Sequence, residues 1–480
     1  MKTKSNSSGA KYKYLAQNTL LLTLSSFGSK FLSFFLVPLY TNVLTTSEYG
    51  TADIITTSAM LLVYIFTINI ATSVLRFGID KEEKPERVFI YGVQIDLTGS
   101  LLLLIGLAAC YVLNIIKWDW YCYIFLWLVF VADAFESLTN QYLRAIDKVK
   151  IMAISSVVAT LLRLVANILF LLVFKWGIFG YLISLVIGPA VASIFSLCFI
   201  LPLKMEAVDS SYEKRLHGEM RKYAIPSMFG QLGWWINNSL DKYFVIWLKG
   251  SALNGIYAIS YKLPSIMSVI CNIFSQAWGI SAIKDFNKDD NDKFFEKTYE
   301  TYNCFLTCCC SVMIFLNVTI SRYMFAKDFF VAWKYASLLI LAMLFSGLSG
   351  FWSAIFNAIK RNEIIAKTTL LSGGINCILN MILIPPFGAM GAAGATLIAF
   401  YAVWLMRYIL ARKYIDCKTN VVKHHVMYIL LMLQILFEHL SEHFYFGQII
   451  ICVVIFGLNY KVVCGILKMM KTKMINMLRK

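Results

Sequence analysis

The chain has 480 residues, of which 59% are hydrophobic and 15% are charged, and its net charge is +17. A mean hydropathy of +0.68 excludes a water-soluble core and, with it, most classes of enzyme. The basic balance reflects membrane topology and attraction to anionic lipid, so no nucleic-acid partner is expected.

Fourteen apolar segments follow one another along the sequence. Most approach or exceed the roughly 20 residues that a helix needs to cross a bilayer. We predict transmembrane spans, numbered 1 to 14 in chain order, at 15–40, 51–75, 88–116, 121–143, 151–174, 177–203, 223–248, 255–282, 298–321, 331–358, 364–385, 389–411, 424–437 and 444–467. Span 13 is the weakest, because Glu438 and His439 cut it short. The predicted fold class is an all-α polytopic membrane protein.

Lys and Arg concentrate in alternate gaps between these spans. With a cytoplasmic N-terminus, 34 of the 44 basic residues lie in or next to the inner gaps and at the two chain ends, and six lie in or next to the outer gaps. Because basic residues are retained on the cytoplasmic side, both termini are predicted to be cytoplasmic. The predicted organisation is a basic tail at 1–14, an N-terminal six-helix bundle at 15–203, a cytoplasmic linker at 204–222, a C-terminal six-helix bundle at 223–411, two extra helices at 412–467 and a basic tail at 468–480.

Two short sequences recur at a distance of six spans. Residues 145–153 resemble residues 358–366, and residues 177–180 resemble residues 388–391, with offsets of 213 and 211. Since each repeat holds an even number of spans, both copies enter the membrane from the same side. The pattern predicts two parallel repeats, an arrangement found in transporters with a central cavity.

Several short motifs stand in a fixed order along residues 14–410: Pro38-Leu39-Tyr40, Glu48-Tyr49-Gly50, Val74-Leu75-Arg76-Phe77-Gly78, Tyr223-Ala224-Ile225-Pro226, Leu240-Asp241-Lys242-Tyr243, Gly255-Ile256-Tyr257, and Asn376 and Asn380 with Gly391-Ala392-Ala393. Their order and spacing resemble the Wzx-type polysaccharide flippases, in the polysaccharide transporter branch of the MOP superfamily. The resemblance implies a bacterial inner-membrane transporter that moves undecaprenyl-pyrophosphate-linked oligosaccharide to the periplasmic leaflet by alternating access, for surface polysaccharide such as O-antigen. Membrane lipids, a polysaccharide polymerase and a chain-length regulator are its candidate partners.

Charged residues within spans are costly and usually face a cavity or pair with each other. Five cations are candidates for binding the pyrophosphate: Lys30, Arg76, Arg163, Lys242 and Lys262. Lys30 and Arg163 fall near mid-span, and Arg can bind phosphate with two hydrogen bonds. The alternative is that these cations are neutralised by acids such as Asp96 or Asp133 and hold helices in place.

Three acids are candidates for ion coupling: Asp133, Glu136 and Asp241. Asp133 and Glu136 share a helix face, and two close carboxyl groups tend to retain a proton. This arrangement suits coupling to a proton gradient, and a polar contact between helices is the alternative. Apart from a proton or sodium gradient, no cofactor is expected.

A polar and aromatic set in spans 7 and 8 includes Trp234, Asn237 and Gln276, which are candidates for contacting the glycan. Trp and Tyr also populate membrane interfaces, and amide side chains also join helices, so the structural alternative stays open. No metal site is predicted. The rival functions are a multispanning polysaccharide polymerase, and a drug or peptidoglycan-precursor exporter of the same superfamily.

Overall fold

A computed structural model describes residues 34–201, 209–285, 293–415, 417, 419–440, 445–460 and 464–465. Lys30, the two predicted tails and most of span 1 lie outside these residues. Within the described ranges the chain is helical and contains no strand. The sixteen α-helices are α1 Val37–Val43, α2 Thr46–Phe66, α3 Ile70–Gly78, α4 Pro85–Val112, α5 Trp120–Ala145, α6 Val149–Asn167, α7 Gly177–Ile200, α8 Ser210–Lys249, α9 Ser251–Ser260, α10 Lys262–Asp285, α11 Phe294–Met324, α12 Trp333–Ala358, α13 Asn362–Phe387, α14 Ala389–Ala411, α15 Val421–Leu440 and α16 Tyr445–Leu458.

Eleven helical segments in the described part of the chain are long and apolar enough to cross a membrane. This confirms the predicted all-α polytopic class. Span 7 lies in the 40-residue helix α8, whose first turns are polar, and span 14 corresponds to the 14-residue helix α16. The count of fourteen spans stays a prediction.

Span 2 was predicted as one uninterrupted segment, but the structure divides it into α2 and α3. Helix α2 begins at Thr46 because Thr45 and Glu48 form a reciprocal capping box. It ends at Phe66, and Ile68 and Asn69 then adopt left-handed backbone conformations with φ of 47° and 55°. A left-handed β-branched residue is rare and strained, so tertiary packing must hold this break in place.

The chain forms two compact units, with the division between Ser239 and Leu240, inside helix α8. The apolar core of the N-terminal unit contains Val74, Phe89 and Leu138, with further side chains from α8. The core of the C-terminal unit contains Tyr257, Leu339 and Ala392. The predicted domain limits, which followed span counts, stay a prediction.

The two repeated sequences form the same two turns, one pair in each unit. In the first turn Asp147 and its counterpart Lys360 have φ of 62° and 59°. The next residue then donates its N–H to the carbonyl five residues back, at 2.8 Å in both copies. In the second turn Gly177 and Gly388 have φ of +55° and +58°. Glycine occupies this position in both copies because it tolerates a positive φ at no steric cost. The shared turn geometry supports an internal repeat.

Helix α15 packs on α11 through a ladder of polar pairs. Its rungs are Glu300–His424 at 2.9 Å, Asn303–Tyr428 at 2.6 Å, Ser311–Gln434 at 2.8 Å and Asn317–Glu438 at 2.8 Å. Each pair supplies a hydrogen bond that lipid could not supply to these buried polar side chains. The ladder therefore explains how a membrane helix with buried polar groups is tolerated. Glu438 is predicted to cut span 13 short, but it lies inside α15.

Candidate functional site

Arg163 lies inside α6 of the N-terminal unit and is half-buried. Its Nε atom is buried without a hydrogen-bond partner. Among the described residues the guanidinium has no ion pair, so the pairing with Asp96 or Asp133 left open by the sequence is not found there. Gly188 of α7 makes room for this side chain, because a Cβ there would lie 3.2 Å from Arg163 Nε. The unit therefore holds a cation without a fixed partner.

Three tyrosines form a cluster beside Arg163. The ring centroid of Tyr181 lies 4.8 Å from that of Tyr40 and 5.8 Å from that of Tyr49. The hydroxyl groups of Tyr40 and Tyr181 lie within electrostatic range of Arg163. Tyr40 and Tyr49 belong to the first two sequence motifs, so the fold brings these motifs to Arg163. Aromatic faces with polar tips suit a ligand that is partly apolar and partly hydroxylated.

Asp133 and Glu136 of α5 are half-buried, and Arg163 acts electrostatically on both. The structure therefore brings three of the predicted residues together in the N-terminal unit. The roles assigned to them stay predictions. Arg76 lies at the end of α3 with a 56% exposed side chain, and it pairs with Asp80 at 3.4 Å. An exposed pair of this kind contributes little to stability.

Asp241 is the centre of a second cluster, in the C-terminal unit. Its Oδ2 accepts hydrogen bonds from the hydroxyls of Tyr257 at 2.5 Å, Tyr261 at 2.7 Å and Thr396 at 3.3 Å. Its Oδ1 accepts the backbone N–H of Lys242 at 2.9 Å. The carboxylate is 3% exposed, and neutral donors surround it.

Two asparagines of α13 extend this cluster. Asn376 donates to the Thr396 hydroxyl at 3.4 Å, and Asn380 donates to the Asn376 amide oxygen at 2.9 Å. Both side chains are buried, and Asn380 Oδ1 has no hydrogen-bond partner among the described residues. Asn376 and Asn380 carry no charge, so only the family resemblance of their motif distinguishes them in the sequence. The cluster presents carboxylate, amide and hydroxyl oxygens in one buried place.

The other predicted site residues occupy separate positions. The Lys242 ammonium lies 5.9 Å from the ring centroid of Tyr261, so this cation stacks beside the Asp241 cluster. Lys262 begins α10, and Gln276 is exposed further along the same helix. Trp234 and Asn237 lie on α8, where Trp234 is exposed and Asn237 donates to the Gly233 carbonyl of its own helix at 3.2 Å.

Arg407 of α14 is a buried cation within span 12 that was not among the predicted site residues. Its guanidinium donates to the hydroxyls of Ser353 at 2.7 Å, Thr369 at 2.8 Å and Thr368 at 3.0 Å. These residues come from α12 and α13, so Arg407 of α14 joins three helices. Its position four residues before the end of α14, and so inside the apolar segment, is the sequence feature that could have identified it as a cation within a span.

Comparison with known proteins identifies the family. Residues 15–278, more than half of the chain, match the family described as Polysaccharide biosynthesis protein. The chain belongs to this family. No curated protein matches the chain.

Solved structures identify the fold. The chain is similar to the lipid II flippase MurJ in an inward closed conformation, with a TM-score of 0.69, 15% identity, 93% of this chain covered and 99% of that chain. It is similar to an inward-facing multidrug resistance MATE family transporter of the MOP superfamily, with a TM-score of 0.64, 12% identity and coverage of 81% and 94%. A MOP superfamily transporter from Pyrococcus furiosus gives a TM-score of 0.58, 11% identity and coverage of 83% and 95%.

Family and fold together define the class of protein. The chain has the fold of MOP superfamily transporters, with eleven described segments able to cross a membrane, and it belongs to a family of polysaccharide biosynthesis proteins. The resemblance seen in the sequence is therefore confirmed. This family and fold agree with the prediction that the protein is not an enzyme.

Proposed function

We propose that this protein flips an undecaprenyl-pyrophosphate-linked oligosaccharide from the cytoplasmic to the periplasmic leaflet of the bacterial inner membrane, by alternating access, for surface polysaccharide assembly. The observation that carries the proposal is Arg163, a half-buried guanidinium without an ion pair among the described residues, beside the tyrosine cluster. Within a membrane such a charge is costly and marks a substrate path. A pyrophosphate supplies the missing anion, and sugar rings suit the tyrosine faces.

The remaining predicted residues complete the proposal. Four further cations are assigned to the pyrophosphate path, and three polar or aromatic side chains to the glycan: Lys30, Arg76, Lys242 and Lys262, and Trp234, Asn237 and Gln276. In this proposal the chain has fourteen spans and both termini are cytoplasmic. A polymerase and a chain-length regulator then act on the exported product at the periplasmic leaflet. Reporter fusions after residues 210 and 290 should read cytoplasmic, and a periplasmic signal at 290 contradicts this topology.

Substitution of Arg163 tests the function directly. A hydrogen bond to a charged group contributes about 1.5–3 kcal/mol. Loss of two such bonds to phosphate therefore weakens binding by at least about 100-fold. We expect Arg163→Gln to abolish surface polysaccharide and leave lipid-linked repeat units on the cytoplasmic leaflet, and Arg163→Lys to retain partial export. The measurement is surface polysaccharide at equal protein abundance.

Arg144→Gln is the matched control, because Arg144 is exposed at the end of α5 and is expected to leave export unchanged. Full export from Arg163→Gln contradicts the proposed role. Restoration of export when Asp133→Asn is added to Arg163→Gln shows instead that Arg163 only neutralises the acids of α5.

We also propose that the Asp241 cluster binds the coupling ion, sodium or a proton. Hard cations prefer oxygen ligands, and this cluster offers a carboxylate together with an amide oxygen that lacks a donor. Asp241→Asn should abolish export without lowering protein abundance. Export by Asp241→Asn at the wild-type level, measured under an altered sodium or proton gradient, contradicts a coupling-ion site at Asp241. Asp133 and Glu136 then become the leading candidates for ion coupling.

Export of a peptidoglycan precursor is the alternative that a specific observation favours, namely the fold similarity to a lipid II flippase over 93% of the chain. Gene deletion separates the two functions. Loss of surface polysaccharide in viable cells supports the polysaccharide substrate, whereas lysis during growth supports the peptidoglycan precursor.

A further inference from the structure

A second buried acid, Asp96, has no role in the site described above. It lies eleven residues after the start of α4, or about 16 Å along that helix, near the middle of a bilayer. Its side chain is 2% exposed, and its Oδ2 has no hydrogen-bond partner within the described ranges. A buried carboxyl without a partner is rare in native proteins and calls for a physical explanation.

The register between α4 and the α2–α3 segment shows what Asp96 faces. A Cβ at Gly92 would lie 2.8 Å from the side chain of Val74, and a Cβ at Gly99 would lie 2.2 Å from the Phe66 carbonyl oxygen. The two segments therefore run antiparallel, with residues 92 and 99 opposite residues 74 and 66. Asp96 shares the helix face of Gly92 and Gly99, because these residues are four and three positions away. It consequently lies opposite residues 69–70, at the break in span 2.

The break leaves a backbone acceptor without its donor. In a continuous helix the Ile70 N–H would bond to the Phe66 carbonyl, but here it bonds to the Thr67 carbonyl at 2.9 Å. No backbone donor among the described residues reaches the Phe66 oxygen. The carbonyl end of α2 thus points at the face of α4 that carries Asp96, one helical turn away.

A broken helix at membrane depth is tolerated where it lines a cavity or binds an ion. In transporters, the carbonyl end of a half-helix and the unwound backbone coordinate sodium ions or protons. Two acceptors without donors, one of them a carboxylate, have the chemistry of a cation site. We propose that Asp96 and the break at residues 67–69 bind a monovalent cation, sodium or a proton, in the N-terminal unit.

This site uses none of the oxygens assigned to the coupling ion at Asp241. Its use in transport rests on the function proposed above, whereas the binding itself is measured without any substrate. A failure of the proposed export function therefore leaves this inference testable.

The experiment measures cation binding to the purified full-length protein in detergent. Radioactive sodium is titrated against wild type, Asp96→Asn and Asp241→Asn, with Glu86→Gln at the start of α4 as the matched control. We expect Asp96→Asn to lose one bound sodium ion per protein, and Glu86→Gln to lose none. If sodium binding is unchanged, a proton is the ligand when Asp96→Asn releases one proton fewer than wild type and Glu86→Gln over the same pH range. No change in either measurement overturns the proposal, as does an equal change in Glu86→Gln.

A glycine pair provides a second test that leaves the carboxyl in place. Gly99→Ala puts a methyl group against the Phe66 carbonyl, whereas Gly106→Ala on the same helix meets no atom within 4 Å. We expect Gly99→Ala to weaken the Asp96-dependent binding by about tenfold or more, and Gly106→Ala to bind like wild type. Wild-type binding by Gly99→Ala, measured on folded protein, separates Asp96 from the break and overturns the site as described.

Discussion

Gly391 allows a sharp test of the packing between α13 and α14. A Cβ at this position would lie 2.2 Å from the Leu383 carbonyl oxygen and 2.5 Å from its carbon. Gly394, one turn further along α14, has no atom within 4 Å of its Cβ position. Gly391→Ala and Gly394→Ala therefore add the same methyl group to the same helix in opposite environments.

The geometry sets the expected magnitude. A carbon normally approaches a carbonyl oxygen to about 3.3 Å, so the two backbones at Gly391 must separate by about 1 Å. Overpacking of this kind costs about 1–3 kcal/mol, and the upper part of the range applies because a backbone, not a flexible side chain, is the obstacle. Alanine gains about 1 kcal/mol of helix propensity over glycine at either position. We expect Gly391→Ala to be less stable than Gly394→Ala by about 1–3 kcal/mol.

The assay is thermal unfolding of the purified variants in one detergent, with surface polysaccharide as a functional measurement. Gly394→Ala should unfold at or above the wild-type temperature and support full export. A melting temperature for Gly391→Ala equal to that of Gly394→Ala refutes the reasoning, because it shows that α13 and α14 do not touch at Leu383.

Two further predictions concern charged groups outside the proposed site. Arg407→Lys should lower the stability by about 1–3 kcal/mol, because a single ammonium cannot reach all the hydroxyls that the planar guanidinium joins; wild-type thermal unfolding contradicts this. His217 stacks on Tyr91 with ring centroids 3.7 Å apart, and burial lowers the pKa of His217 below its ordinary value of 6.5, with Glu213 opposing the shift and Arg221 adding to it. The folded state therefore resists protonation of His217. The contribution of this residue to stability is fully present above pH 6.5 and is lost as the pH drops below it. His217→Phe should remove this dependence, and equal pH profiles of the melting temperature for both proteins contradict the assignment.

Hydropathy and charge sufficed to predict the class of fold. A bilayer restricts a chain of this kind to helices, and the Lys and Arg residues of the loops are retained on the cytoplasmic side. The sequence motifs also identified residues that meet in space. Tyr40 and Tyr49 pack on Tyr181 beside Arg163, and Asp241 and Tyr257 share a hydrogen bond. Spacing alone did not reveal these contacts, because the partner residues come from helices that are distant in sequence.

The break in span 2 had no such signal. Residues 67–69 are Thr, Ile and Asn, without the glycine or proline that usually ends a helix. At the break, the Phe66 carbonyl packs closely on another helix, where Gly99 of α4 leaves room for it. A local sequence pattern does not show a contact with a residue that is distant in sequence, so the hydrophobic run predicts one continuous helix.

In the sequence, all charged residues within spans are alike in being unfavourable in a membrane. The hydrogen bonds in the structure distinguish those whose polar atoms are satisfied from those whose polar atoms are not. Arg407 donates to hydroxyls from two neighbouring helices, so its charge is fully used in holding α12, α13 and α14 together. Asp241 accepts four hydrogen bonds, but the amide oxygen of Asn380 beside it has no donor. Arg163 and Asp96 each keep a buried polar atom without a partner among the described residues. Since an unsatisfied charge lowers stability, a buried charged group without a partner is a candidate ligand site. The opposite charges of these two groups match the two different ligands proposed above, an anion at Arg163 and a cation at Asp96.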